Sequence, residues 1–341
     1  MKKHKVILDV DNATGIPVCD VDDGMTIALA LASPELDVLG ITTCAGNCRT
    51  HESTHSTLRM LELAGRSDIP VATGRELPFI QDVTASFEYL DQRRAQHAYY
   101  WQDVPPLPDV TLQPSPLKAH EFIIEMVKQH PGEVTILKAG SHTNLALALL
   151  VEPEIAPLVK AVVHMGGDTG TPWWADNADD SINNPEIWRD IVRMNQVYDP
   201  EATEIVVRSG IPFTWVTAKV SARVLLRMAH VDRIQAVDTP YHQFLANVAR
   251  PWVQWEIDVC ERQGAPMWDP LTLATIIDPT FCTFVTMRCD LDRFRNWEFP
   301  YLYPSPDTPQ VQVSMDVDIA RFEEFLIERL TSNDGTQYAN T

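Results

Sequence analysis

The acidic residues nearest the start of the chain fall into two groups. Asp9 and Asp11 close the run Val6-Ile7-Leu8-Asp9-Val10-Asp11, and Asp20, Asp22 and Asp23 follow soon after. Acids are depleted in strands, so two at the end of an apolar run need a reason. Alternation along a strand sends neighbouring side chains to opposite faces, which gives Asp9 and Asp11 a shared direction. Asp22 and Asp23 open a stretch of good helix formers, where free backbone N–H groups and the positive end of the helix dipole favour ionised carboxylates. Three or four carboxylates crowded at one loop repel one another unless a cation neutralises them, and hard oxygen ligands select calcium or magnesium. The plainer alternative is helix capping by Asp22 with Asp23 in solvent.

The elements that must hold these acids alternate along the chain. Residues 5–10 read as a strand, 22–33 as a helix, 35–43 as a strand, 51–64 as a helix and 69–72 as a short strand. The pattern resumes with a helix at 116–130, a strand at 133–138, a helix near 144–150, a strand at 159–165, a helix at 200–209 and a strand at 211–217. A long helix interrupted at Pro251 is expected over 239–263, a late strand over 281–287 and an amphipathic C-terminal helix over 316–330. Such alternation predicts an α/β fold, a Rossmann-like and mostly parallel (mixed) sheet with helices on both faces. In sheets of that kind ligands bind beyond the carboxyl ends of the strands, where both acidic groups lie. Two stretches without a clear period, 79–116 and 166–192, are rich in prolines, aromatics or acids and read as long loops over the site. Without an internal repeat or a linker, residues 1–341 are expected to form a single domain.

Composition narrows the partners. Asp plus Glu outnumber Lys plus Arg by 47 to 27, a balance that repels phosphate backbones and anionic lipid headgroups, so neither nucleic acid nor membrane is an expected partner. The first residues lack the long apolar core of a signal peptide, and no run approaches the length of a membrane span. The six cysteines are scattered apart from Cys44 and Cys48, which could be half of a zinc site but have no second pair at a suitable spacing. Buried free thiols in a reduced cytoplasm are the expectation.

Longer stretches carry a resemblance. ILDVD followed by DVDDGMTIALALASPELDVLGITTCAGN resembles the amino-terminal signature of the inosine-uridine preferring nucleoside hydrolase family, in which a D-x-D turn and a following D-D pair surround calcium. Further similar segments follow in order: LELAGRSDIPVATG, EVTILKAGSHTNLALAL, VHMGGD, NQVYDPEA and MWDPLTLATIIDP. The resemblance implies a nucleoside hydrolase-like fold and hydrolysis of the N-glycosidic bond of a ribonucleoside or related ribosyl compound. It implies Ca2+ as cofactor, held by Asp11, Asp23, the backbone carbonyl of Ala139 and Asp269, with Asp11 also the general base that activates water. Asp22, Asn47, Met165 and Asn195 fall where the family contacts the ribose, and a homodimer or homotetramer is implied. Cleavage of a ribosyl C–N bond through an oxocarbenium-like state needs water activation on one face and help for the departing base on the other, and this acid set could supply the first.

The chain departs from the family pattern in three places. Ten residues separate Asp11 from Asp22, where the family turn is shorter, and Asp20 is an additional acid. Trp268 stands before Asp269 where many members have His, which resembles the purine-preferring branch and points to leaving-group activation by a purine base stacked on the indole. Trp101, Trp173 or Trp174 could complete that sandwich or simply belong to an aromatic core or surface loop. Arg193 replaces a family Glu two residues before Asn195, so a guanidinium could receive a 5′-phosphate or another anionic substituent, or pair with a neighbouring acid. Competing readings are a non-catalytic nucleoside-binding protein and a haloacid-dehalogenase-type phosphatase. The phosphatase class needs a downstream Lys and a distant acidic pair rather than acids this close in sequence.

Overall fold

The computed structural model describes residues 2–167, 195–196, 198–291, 302–304 and 310–332. Strand β1 (His4–Val10) sends Val6, Leu8 and Val10 into one apolar cluster and Ile7 into another. A strand apolar on both sides belongs inside a sheet covered on both faces. Its neighbours have the same character: β2 (Leu36–Thr43), β3 (Val71–Thr73), β4 (Val134–Lys138), β5 (Ala161–Met165) and β6 (Phe213–Val216). A separate ribbon pairs β7 (Leu225–Leu226) with β8 (Ala265–Pro266). The last strands are β9 (Cys282–Leu291), β10 (Leu302–Pro304) and β11 (Gln310–Val317).

Among the described residues these strands form a nine-stranded sheet in the order β10-β9-β11-β6-β5-β4-β1-β2-β3. Every pairing from β3 across to β11 is parallel, and β9 is antiparallel to both β10 and β11. The chain leaves β1 outward through β2 and β3 and returns on the other side of β1 at β4. Connections therefore diverge at the carboxyl ends of β1 and β4, and that divergence opens the crevice where ligands of doubly wound sheets bind.

The helices are, in chain order, α1 (Asp22–Leu31), α2 (Thr50–Leu63), α3 (Thr84–His97), α4 (Ala119–Gln129), α5 (Thr143–Val151) and α6 (Pro200–Arg208). They continue with α7 (Ala218–Ser221), α8 (Met228–Gln235), α9 (Pro240–Asp258), α10 (Trp268–Ile277) and α11 (Ile319–Thr331). Apolar residues of α1, α2, α8, α9, α10 and α11 share one core with Val6, Leu8 and Val10. Those of α4, α5 and α6 share the other with Ile7, Ile136 and Trp215. Helices thus cover both faces, as expected. None among the described residues is long and apolar enough to cross a membrane.

Three expected elements differ. The stretch 79–116 is not irregular throughout, because α3 and a 3-10 turn at Ala98–Trp101 occupy its middle. Leu90 alone is buried along α3, so the helix lacks the apolar stripe that announces a helix in sequence. Pro251 does not interrupt α9, which runs through it with Trp252, Val253 and Trp255 buried just beyond. Packing on that scale outweighs one lost backbone hydrogen bond. The C-terminal helix begins at Ile319 rather than at 316, because Gln310–Val317 is a strand that inserts between β6 and β9. The loop expected over 166–192 lies outside the described residues from 168 onward.

Candidate active site

Strand β1 ends at Val10, so Asp11 is the first residue beyond the ladder and strand alternation no longer sets its direction. Asp9 and Asp11 accordingly part company. Asp9 turns to the buried Lys138 Nζ at 2.5 Å and to Asn144 Nδ2 at 3.0 Å. Asp11 turns to the loop after β2, where the Asn47 backbone N–H donates to its Oδ2 at 2.7 Å. The expected cooperation of the two acids fails for this reason. Gly46 makes the Asp11 contact possible: a Cβ at that position would lie 1.9 Å from Asp11 Oδ2.

Around Asp11 the structure brings together acids from distant elements. Asp22 and Asp23 stand in the first turn of α1 and are buried, so neither sits in solvent, and the N-cap Val21 offers no side-chain cap. Asp269 stands in the first turn of α10, also buried, and its backbone N–H donates to Asp22 Oδ2 at 3.2 Å although 247 residues separate the two. The Asn47 amide Nδ2 reaches Asp20 Oδ1 at 3.0 Å and Asp23 Oδ2 at 3.4 Å. Asp20, Asp22 and Asp23 each bring a carboxylate oxygen within 4.8 Å of the others, a grouping able to hold a metal ion. Two helix N-termini and the loops after β1 and β2 therefore converge on one acidic pocket, where the helix dipoles favour negative charge.

The electrostatics of that pocket are lopsided. Burial, with Asp22 close by, pushes the Asp11 carboxyl up to about 7, against the opposing Asn47 N–H. Burial and then Asp22, Asp23, Asp11 and Asp20 push Asp269 well above the usual carboxylate range. Asp20 and Asp23 are raised in the same way, burial first and neighbouring acids next. Asp22 is raised by burial while the Asp269 N–H pulls against it. Among the described residues no Lys or Arg forms an ion pair with any of the five. One oxygen each of Asp11, Asp23 and Asp269 is buried without a hydrogen-bond partner. Unpaired buried charge of this kind is costly, and a divalent cation with a preference for oxygen is the counter-charge that fits such donors.

The remaining expected residues take the following places. Ala139 directly follows β4 and is buried, its N–H bonded to the Asp9 carbonyl at 2.9 Å. Met165 ends β5, and Asn195 Nδ2 donates to its carbonyl at 2.9 Å, which brings these two together. Trp268 precedes Asp269 on α10 and is buried, with the Arg262 guanidinium over its ring at 5.5 Å. Trp101 belongs to an aromatic core instead, against Trp252 at 6.5 Å. Arg193, Trp173 and Trp174 lie outside the described residues.

Several neighbours have no expectation behind them. Lys138 is fully buried and bonds both Asp9 and the Ser141 carbonyl, each at 2.5 Å, so it pins the turn that carries Ala139. Its signal in sequence is a lysine at the end of an otherwise apolar strand. His142 and His164 lie with ring centroids 4.3 Å apart, and burial holds both below the ordinary imidazole range, His164 at about 3. Asp199 of the NQVYDPEA segment is the N-cap of α6 and accepts from the Ala202 N–H at 3.1 Å, while its other oxygen takes Thr143 Oγ1 at 2.8 Å. Cys19, Cys44, Cys48, Cys260 and Cys282 are free and buried, in line with the thiol expectation.

Known proteins are similar to this chain over most of its length. The family model for inosine-uridine preferring nucleoside hydrolase matches residues 6–324. The pyrimidine-specific ribonucleoside hydrolase RihA of Escherichia coli O7:K1 is 32% identical over 317 residues, which are 91% of this chain and 94% of that protein. The purine-preferring ribonucleoside hydrolase from Gardnerella vaginalis superposes with a TM-score of 0.78 at 26% identity, over 96% of this chain and 98% of its own. The plant nucleoside hydrolase PpNRh1 superposes with a TM-score of 0.75 at 27% identity, over 96% of this chain and 99% of its own. With the parallel sheet, the crevice beside β1 and the acids gathered there, these similarities lead to one conclusion: the chain belongs to the inosine-uridine preferring nucleoside hydrolase family and is a nucleoside hydrolase.

Proposed function

We propose that the chain hydrolyses the N-glycosidic bond of purine-type ribonucleosides with calcium held by Asp11, Asp23, Asp269 and the Ala139 carbonyl. One observation carries this reading: of the five acids in the pocket, the three assigned as ligands are the three that each leave a buried oxygen without a protein partner. Bound there, calcium would supply positive charge that makes a water more acidic and orients vicinal ribose hydroxyls. Asp11 is the base because the Asn47 N–H fixes its Oδ2, while its Oδ1, free of any protein donor, has lone pairs for both the cation and the proton of the water. Asp22, Asn47, the Met165 carbonyl and Asn195 line the ribose side, and the acids around them favour the positive charge that develops on the sugar as the C–N bond lengthens.

Trp268 serves the departing base in this reading. The Arg262 guanidinium covers one face of its indole and pairs with the buried Glu256 at 2.7 Å, which supports a ring held in place with the base stacked on its opposite face. The relatives differ on this point, since RihA is named for pyrimidines and the Gardnerella enzyme for purines. A reducing-sugar assay across purine and pyrimidine nucleosides, with and without chelator, tests the proposal. Calcium-dependent release of ribose, faster from purine than from pyrimidine nucleosides, is the expected result. Binding without turnover, or phosphate release from phosphomonoesters with no free ribose, overturns it.

A further inference from the structure

Asp20 has no place among the ligands that family resemblance assigns, and it sits on the loop by which this chain exceeds the family turn. That loop is anchored along its length. Asn12 Nδ2 donates to Thr57 Oγ1 of α2 at 3.2 Å, the Thr14 N–H returns to Asn12 Oδ1 at 3.1 Å, and the Cys19 N–H closes a turn on the Ile16 carbonyl at 3.3 Å. Between them Val18 has φ 59°, the left-handed region that a β-branched side chain rarely enters. Strain of this kind persists only where the surroundings over-determine it.

Helix α3 provides that determination. Arg93 Nη2 donates to the Val18 carbonyl at 2.9 Å, and Arg94 Nη2 reaches Cys19 Sγ at 3.3 Å. Arg94 is itself held by Glu52 at 3.2 Å, and Asp91 on the same helix makes a two-pronged pair with Arg49 at 2.7 and 3.0 Å. The next residue after Cys19 is Asp20, whose Oδ1 takes the same Asn47 amide that also faces Asp23. A free loop would swing an acid away from four others of like charge, whereas here a strained backbone and two guanidiniums keep it among them. Beside it Asp23, fully buried, turns an unpartnered oxygen into the same pocket, as do Asp11 and Asp269.

We infer that Asp20 is an additional ligand of the divalent cation, added by this chain to its family's set, and that Arg93 and Arg94 are positioning residues that hold it there. The inference rests on the cation reading of the proposed function. One more carboxylate suits calcium, whose flexible shell takes more oxygens than the strict octahedron of magnesium.

The test is calcium titration of chelator-stripped protein, followed by tryptophan fluorescence and by the melting temperature. In Asp20→Asn the calcium Kd is expected to rise by about tenfold or more, since affinity follows the count of charged ligands. Without calcium the same variant should melt no lower than the parent, because a repelling charge has gone. Arg93→Met changes no carboxylate and should raise the calcium Kd by about threefold or more through the loop alone. Asp269→Asn serves as the control for the cation reading itself. Loss of calcium binding in Asp269→Asn together with a Kd within about twofold of the parent in Asp20→Asn overturns this inference and leaves the cation reading standing. An unchanged Kd in Arg93→Met overturns the positioning role. Absence of calcium binding by the parent protein overturns the cation reading, and this inference with it.

Discussion

Stripping the divalent cation should make the protein's stability fall as pH rises, which is the reverse of the usual behaviour of carboxylates. The Asp11 carboxyl is raised from 3.8 to about 7 by burial and by Asp22. A group whose pKa is raised on folding contributes stability that is full below its unfolded value and is lost as pH climbs through its folded one. The window for Asp11 therefore runs from about 4 to about 7. Each pH step inside it is worth about 1.4 kcal/mol, so between pH 5 and pH 7 the stripped protein loses about 3 kcal/mol through Asp11 alone. Asp20, Asp22, Asp23 and Asp269 are raised as well and act with the same sign. For a chain of this size about 2 °C of melting temperature corresponds to each kcal/mol, which gives a fall of about 6 °C or more. Calcium bound as proposed would keep all five acids ionised at both pH values and remove the slope, so the rise in melting temperature on adding calcium should be larger at pH 8 than at pH 5. Thermal melts at pH 5, 6, 7 and 8 in chelator and in saturating calcium measure both quantities. A stripped protein whose melting temperature is flat or rises from pH 5 to pH 8 refutes the reasoning, as does a calcium increment independent of pH.

Other outcomes follow from single contacts. Asp11→Ala and Asp269→Ala should each lower kcat/KM for ribose release by about 100-fold or more, about 3 kcal/mol in barrier, and full activity in either would remove it from the site. Gly46→Ala places a methyl where Asp11 Oδ2 now lies, 1.9 Å away, and should cost about 100-fold in kcat through displacement of the base, with near-parental kcat the contrary result. Lys138→Met leaves Asp9 buried without its counter-charge and should destabilise the fold by about 3–5 kcal/mol in urea unfolding, most of it restored when Asp9→Asn is added. If Arg193 receives an anionic 5′ substituent, Arg193→Glu should lower kcat/KM for nucleosides with an anionic 5′ group relative to neutral ones, and an unchanged ratio of kcat/KM values counts against that role.

What the sequence discloses follows from how each element is stabilised. Strand β1, helix α1 and strand β2 are legible because apolar residues on both sides of a strand and good helix formers after an acidic pair are local signals. Helix α3 is hidden because its attachments are polar: Asp91 to Arg49, Arg93 to the Val18 carbonyl and Arg94 to Glu52, with Leu90 alone buried. Strand β11 is hidden for another reason. The apolar positions Phe322, Leu326 and Leu330 of α11 give a helical period that carries the expected helix back over Asp316, while the alternation of Val311 and Val313 marks the strand before it. Asp269 is beyond any local reading, since 247 residues separate it from Asp22, and only family resemblance reaches it.

The divergence of Asp9 and Asp11 bears on how such a site can exist in a stable protein. Both acids issue from the same strand end, yet one has a complete set of protein partners and the other does not. Asp9 is neutralised by Lys138 and by Asn144, and its neighbourhood could fold without any ligand. Asp11 meets one backbone N–H and four other carboxylates, and the cations on the neighbouring elements β4 and α3 are committed elsewhere: Lys138 to Asp9 and Ser141, Arg93 to Val18, Arg94 to Glu52 and Cys19. A protein lysine placed among the five would relieve the repulsion but fill the pocket, and the acids would then serve stability alone. If the proposed cation supplies the counter-charge, the pocket stays open to substrate oxygens, at the cost of a native state that depends on that ion. Rigid neighbours make the dependence tolerable, because β1 is hydrogen-bonded on both sides by β2 and β4 and the α1 and α10 N-termini are locked together through Asp22 and Asp269. The same rigidity is why a methyl at Gly46 should be felt in catalysis before it is felt in the fold.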